Sequence, residues 1–282
     1  MQTGSTMSDK YLTKIAGLLR KAETTDNEHE ADAYLQAAQR LATLASVDLA
    51  VARAHSTAQE KRPVPAQRTI TIGEQGKRGL RTFVQLFLEI GRANNLTCDI
   101  ARDSTRVFAY GFDTDIDAVE ALYSSLVIQM VRASDEYIKS KRYTQEKVGR
   151  WVRVPESRPG WRRPSQEWQE RPVHATTARV NFQQAFAARI GARLKEATTQ
   201  ATQQAVQADR GDPTGVEMVL RAKDVELLDH YRAHSTARGS WRGTSPNSSY
   251  SELASRAGDR AGRTARLGGE KAIGGTRPAI TG

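Results

Sequence analysis

An α+β fold with a helical N-terminus is what this sequence predicts, on three observations. Apolar residues recur at helical spacing along most of the chain, as at Phe182, Phe186, Ile190 and Leu194, which repeat every four residues and so line one side of a helix. Short β-branched or aromatic runs at residues 68–72, 96–100 and 106–112 are bounded by turn-forming Gly, Asn, Asp and Ser. Ahead of these runs the chain reads as two helices. The order gives a helical hairpin followed by a small, mostly antiparallel sheet packed with helices, not the strand–helix alternation of a parallel sheet.

Taken in order, residues 1–9 read as a frayed leader in which Met7 offers a second start. From Lys10 the pattern is helical, with Ile15, Leu18, Leu19 and Ala22 at i, i+3, i+4 and i+7, until the Thr24, Thr25, Asp26, Asn27 turn supplies a stop and a new N-cap. The second helix opens on Glu28, Glu30 and Asp32, which suit the positive end of a helix dipole, and carries Tyr34, Ala38, Leu41 and Ala45 on one face. This hairpin spans residues 10–55. Residues 52–66 read as a polar linker ending in Pro63 and Pro65.

An α+β core is then expected over residues 66–234. Its first strand, 68–72, leads through a glycine loop to a helix with Phe83, Phe87 and Ile90 on one face. The loop GEQGKRG lacks both the spacing of a nucleotide-binding P-loop and a Ser/Thr after Lys77; Lys77, Arg78 and the helix N-terminus could still meet a phosphate. Strands 96–100 and 106–112 turn at Asp103-Ser104. Asp113, Asp115 and Asp117 alternate as in a calcium loop, but the glycine and the twelfth-position glutamate are missing. They read as the N-cap and acidic first turn of a helix bearing Val119, Leu122, Leu126 and Met130. Residues 217–221 offer a fourth strand and residues 223–234 a helix.

The segment KIAGLLRKAETTDNEHEADAYLQAAQRLATLASVDLA resembles a bacterial and phage family known as domain of unknown function 2786, through Lys14-Ile15, Leu18-Leu19, Ala22, Glu30-Ala31 and Ala38-Gln39-Arg40-Leu41. YGFDTDIDAVEALYSSL and NFQQAFAARIGARL look like the companion domain that often follows it. Ala42 stands where the family usually has a larger apolar residue, which implies looser packing there. The resemblance implies a fold and a phage or actinobacterial setting; it brings no established activity.

The 282-residue chain carries 42 Lys/Arg against 32 Asp/Glu, a formal charge of +10, but not evenly. Residues 141–171 hold nine Lys/Arg against four Glu, half of the total, together with three of the four tryptophans. Pro155, Pro159 and Pro164 break any helix there. An extended, Trp-rich basic excursion is therefore expected, inserted in the core. Guanidinium and ammonium groups neutralise phosphates and indoles stack on unpaired bases. On this ground Arg150, Trp151, Arg153, Trp161, Arg162, Arg163 and Trp168 are candidate nucleic-acid contacts. The bland reading has the indoles packed on neighbouring helices under a solvated basic rim.

Near the C-terminus, Ser249 and Glu252 make a capping-box pattern that opens a helix running to about Leu267, within a basic unit spanning residues 248–268. Ala254, Gly258, Ala261, Gly262 and Ala265 fall on one side and suit close helix contact, while Arg256, Arg260 and Arg263 form a ridge on the other, a second candidate phosphate contact. Residues 269–282 read as a disordered tail.

No apolar run approaches the roughly 18–20 residues of a membrane helix, and the N-terminus lacks a signal-peptide apolar core. The single Cys98 excludes an internal disulfide framework and a cysteine-rich zinc site, as fits a reducing, cytoplasmic setting. His230 and His234, four apart, share a helical face and are weak candidate metal ligands; Asp229 lies about 100° round the helix, so a third ligand would come from elsewhere, His174 or Glu226. The leading expectation is a non-enzymatic protein without cofactor that binds DNA, RNA or a ribonucleoprotein. Two alternatives stay open: a metal-dependent hydrolase acting on nucleic acid, and a protein-docking module built on the acidic N-terminal hairpin.

Overall fold

A computed structural model gives the structure of the protein and describes residues 3–24, 28–55, 64–154, 165–208, 215–241, 243 and 250–265. Its elements are helices α1 (Thr3–Thr24) and α2 (Glu28–His55), strand β1 (Ala66–Thr71), α3 (Leu80–Ala93), strands β2 (Thr97–Ile100) and β3 (Arg106–Gly111), α4 (Asp113–Lys139), a 3-10 turn (Arg142–Gln145), strands β4 (Lys147–Val154) and β5 (Ser165–Pro172), and helices α5 (Ala175–Ala208), α6 (Val216–His234) and α7 (Glu252–Arg263). The architecture is α+β, as expected.

Helix α5 is the spine. Its stripe of Phe182, Phe186, Ile190 and Leu194 is buried against α3, α4 and α7, and Ala197 and Ala201 continue it. The main hydrophobic cluster joins Ile15, Leu19, Ala38 and Ala42 of the N-terminal hairpin to Phe87, Leu126 and Phe186, so the hairpin shares the core of the rest. Buried polar side chains link the helices. The Thr82 hydroxyl of α3 donates to Gln183 Oε1 of α5 at 2.6 Å, and Gln183 Nε2 donates to Ser134 Oγ of α4 at 3.0 Å, which fixes the rotation of all three helices.

The sheet has the order β1-β3-β2, antiparallel throughout, with Ile70 opposite Val107 and Cys98 opposite Ala109. Central β3 is covered on both sides: Val107 and Ala109 enter the main core, while Tyr110 meets Tyr231 of α6 edge-on with centroids 5.1 Å apart. Arg68 on β1 is held by Asp113, Asp117 and Glu120 of α4. The alternating aspartates thus do form an acidic first turn, with two of them spent on an arginine clamp. The N-cap is Phe112, whose side chain gives no cap hydrogen bond.

Three further expectations are corrected. Residues 217–221 lie inside α6, not in a strand, and the Glu217–Arg221 pair at 2.6 Å is the i,i+4 contact of a helix. α1 begins at Thr3, within the segment read as a leader. The basic excursion, expected to be extended, holds the antiparallel strand pair β4–β5. α7 is capped by Ser251 and ends at Arg263, short of Leu267; Ser249 and residues 266–282 lie outside the described residues.

Candidate nucleic-acid interface

The hairpin β4–β5 rises from a fixed foot. Tyr143 and Val148 pack against a second hydrophobic cluster of Val173, Ala178, Phe182 and Ala254, and the Val173 amide donates to the Glu146 carbonyl at 3.0 Å, closing the base of the ribbon. Val148 therefore directs its side of the ribbon toward the body at the root. Side chains alternate along a strand, so positions 149, 151, 166, 168 and 153 belong to the other side and positions 148, 150, 152, 167 and 169 to the inner one.

Trp151 and Trp168 are direct cross-strand partners on that outer side. Their rings meet edge to face, centroids 5.4 Å apart, and they remain 63% and 53% exposed. Gly149 makes this possible: a Cβ there would lie 2.2 Å from Trp168 Cζ2, so the indole lies across a backbone without a side chain. On β5, Arg171 donates to Gln169 Oε1 at 2.8 Å and Gln169 Nε2 donates to Glu167 at 3.0 Å, a chain at inner-side positions away from the indoles. Of the candidate contacts, Arg150 and Arg153 stand in β4, in register with Gln169 and Gln166 of β5. Trp161, Arg162 and Arg163 lie outside the described residues.

α7 is seated on α5 by its small residues. A Cβ at Gly258 would sit 2.0 Å from the Phe182 carbonyl oxygen, so the helices touch backbone to backbone there. Arg189 of α5 donates to Asp259 at 2.6 Å, and Arg193 donates to the Gly262 carbonyl at 2.6 Å. The Arg189 hydrogen bond holds the Asp259 carboxyl below the usual range. On the far side Arg256 pairs with Glu252 at 2.5 Å and Arg263 with Asp259 at 2.9 Å, both arginines exposed, while Arg260 has no ion pair among the described residues. A shallow groove floored by Ala185 and Ala188 runs beside the three arginines, with Tyr250 exposed at its α7 N-terminal end.

The two basic regions meet at one residue that the sequence reading passed over. Glu146, at the foot of the hairpin, accepts hydrogen bonds from the Ser251 hydroxyl at 2.6 Å and from the Glu252 and Leu253 amides at 2.7 and 3.3 Å. Behind it Tyr137 stacks on Phe182. Burial pushes the Tyr137 phenol up, Glu146 adds to the shift, and Arg142 and Arg260 oppose it. Arg142 from the hairpin foot and Arg260 from α7 thus flank the same side chain.

The histidine pair is arranged otherwise than a ligand pair. His230 and His234 stack with centroids 4.1 Å apart, and His234 Nδ1 donates to the His230 carbonyl at 2.8 Å. Among the described residues no three His, Cys, Asp or Glu side chains are grouped closely enough to hold a metal ion. His174, the distant third candidate, accepts the Thr176 amide at the start of α5.

The N-terminal hairpin carries a likeness to a known family. α1 and α2 pack antiparallel and bury Ile15, Leu19, Ala38 and Ala45, the pattern quoted above for its residues. Residues 10–49 match the family model described as Protein of unknown function (DUF2786). The DUF2786 segment is thus α1 from Lys10 and most of α2. No curated protein and no solved structure matches the chain. Among the described residues no helix is long and apolar enough to cross a membrane.

Proposed function

We propose that the protein binds nucleic acid, alone or in a ribonucleoprotein, through the β4–β5 ribbon and the arginine ridge of α7, and that it does so without catalysing a reaction. The observation that carries this reading is the Trp151–Trp168 pair, two large rings left more than half exposed on the outer face of a basic ribbon whose foot is fixed. Exposed indoles on a rigid support lose little freedom when a base stacks on them, and each stacked base is worth about 1–3 kcal/mol. Arg256, Arg260 and Arg263, with Tyr250 beside them, supply a second strip suited to phosphates. A cytoplasmic, phage or actinobacterial setting belongs to the same proposal.

Titration of labelled single-stranded RNA and DNA at several salt concentrations tests it. Affinity should fall as salt rises, and Trp151→Ala/Trp168→Ala should weaken binding at every salt concentration while leaving the salt slope in place. Arg256→Ala/Arg260→Ala should flatten the slope. Wild-type affinity in both double variants would end the proposal.

A further inference from the structure

A cavity of about 240 Å³ opens where five helices converge, far along the chain from the hairpin. Its wall takes Thr43 and Ser46 from α2, Asn94 after α3, Asp115 from α4, Thr198 from α5 and Asp224 from α6. Small side chains at Ala42, Ala93 and Ala118 leave the space. The DUF2786 segment therefore supplies one side of it.

The charges around this space are matched except at one position. Lys223 is 5% exposed and donates to Asp115 at 2.7 Å and to the Ser46 hydroxyl, so Asp115 is neutralised from behind. Glu217 and Arg221 pair with each other at 2.6 Å. Asp224 has no hydrogen bond or ion pair among the described residues. The residue keeps contact with solvent, and partial burial pushes its carboxyl up, against the pull of Lys223.

Directly behind the wall, fully buried Gln39 donates from Nε2 to Asn94 Oδ1 at 3.0 Å and to Thr198 Oγ1 at 2.9 Å. Asn94 donates its own amide to the Ile90 carbonyl, and Thr198 donates to the Ala93 carbonyl. Those bonds fix which end of Gln39 is the donor. Its Oε1 is consequently left without a hydrogen-bond partner. Gln39 Oε1, buried behind the lining, and Asp224, an exposed residue of the lining, are both acceptors. An anion would be repelled by the Asp224 carboxylate, whereas a donor with positive charge would pair with it.

We propose that this cavity binds a small organic cation, a primary amine or guanidinium compound, with its charged head at the Asp224 carboxylate and its aliphatic part in the space beside Ala42, Ala93 and Ala118. The size suits a chain of a few carbons, and the hydroxyls of Thr43 and Thr198 offer further acceptors for N–H groups. The proposal stands apart from nucleic-acid binding, since none of its residues belongs to the ribbon or to α7.

Isothermal titration of the full chain with putrescine and with agmatine tests it, with acetate as the anionic control and glycerol as the neutral one. At least one amine should bind saturably at a single site, and neither control should. Asp224→Asn should weaken that binding at least about tenfold, the loss of one charge-assisted contact. Ala42→Leu, which fills the space with apolar volume and leaves Asp224 in place, should abolish it. No saturable heat from either amine into the millimolar range, equal binding of acetate or glycerol, or wild-type affinity in Asp224→Asn would each overturn the proposal. Should Asp224→Asn fail to fold, wild-type affinity in Ala42→Leu overturns it in the same way.

Discussion

The Ser251 hydroxyl donates to Glu146 Oε2 at 2.6 Å, across 105 residues of chain. One carboxylate thereby satisfies backbone donors that the first turn of α7 leaves open, places negative charge at the positive end of that helix, and ties it to the foot of the tryptophan ribbon. The two basic regions are therefore mechanically joined although each is distant from the other in sequence.

Replacing Glu146 should loosen both at once. Glu146→Ala is expected to cost about 1–2 kcal/mol, since it strips a charged acceptor from the part-buried Ser251 hydroxyl and from two exposed amides of the first turn. Glu146→Gln, which keeps one acceptor oxygen, should cost less. Urea denaturation gives the energies, and hydrogen exchange locates them: amides of α7 and of β4–β5 should exchange faster together. Unchanged exchange in α7 would show that the link carries no load.

Gly149 sets the posture of Trp168. On a two-stranded ribbon a valine should favour the strand by up to about 1 kcal/mol, yet at this position its Cβ would fall within the indole. Gly149→Val should consequently leave stability near wild type while altering the near-ultraviolet circular dichroism of the tryptophan pair and weakening nucleic-acid binding. A wild-type spectrum would mean that the ring does not rest on residue 149.

The Lys223–Asp115 pair is buried, with side chains 5% and 6% exposed, so removing one partner strands the other's charge. Lys223→Met should cost about 3–5 kcal/mol, and Asp115→Asn/Lys223→Met should recover most of the loss. A thermal-denaturation double-mutant cycle measures the coupling. Additive losses would show the two charges to be independent.

His230 is held neutral by burial, with His234 adding to the downward shift and Glu226 opposing it. A histidine whose folded value is depressed binds protons less readily in the native state than in the unfolded one. Its contribution is therefore intact above the ordinary imidazole value of about 6.5 and declines as pH falls through that value toward the depressed one. Urea midpoints should drop between about pH 8 and about pH 5, and His230→Gln should flatten the curve. An identical slope in the variant would remove His230 from the account.

Much of the scaffold could be read from the chain because helical periodicity survives without context. Phe87, Leu122, Leu126, Phe186 and Ile190 were all expected inside and all are. The hairpin was missed for a physical reason: prolines at 155, 159 and 164 argue against a helix but fall in the sequence between the two strands, and the strand-forming Val148, Trp151, Val152 and Val154, interspersed with Arg150 and Arg153, were masked by the charge that drew attention to the segment. Residues 217–221 misled because Met218, Val219 and Leu220 suit either state, and the Glu217–Arg221 pair that decides for a helix is invisible until the backbone turns. Trp241, given no role by sequence, donates its Nε1 hydrogen to Ser104 at 3.3 Å and packs on the main core. The Asp224 cavity left no linear signature, since five separate helices build it.

The cap that Glu146 provides also imposes a schedule on synthesis. At the usual pace of a ribosome, roughly 5–20 s separate the emergence of Glu146 from that of Ser251. Through that interval the nascent chain presents an unmatched carboxylate at the ribbon foot, and, once α5 has followed, a strip around Phe182 that still waits for α7 to cover it.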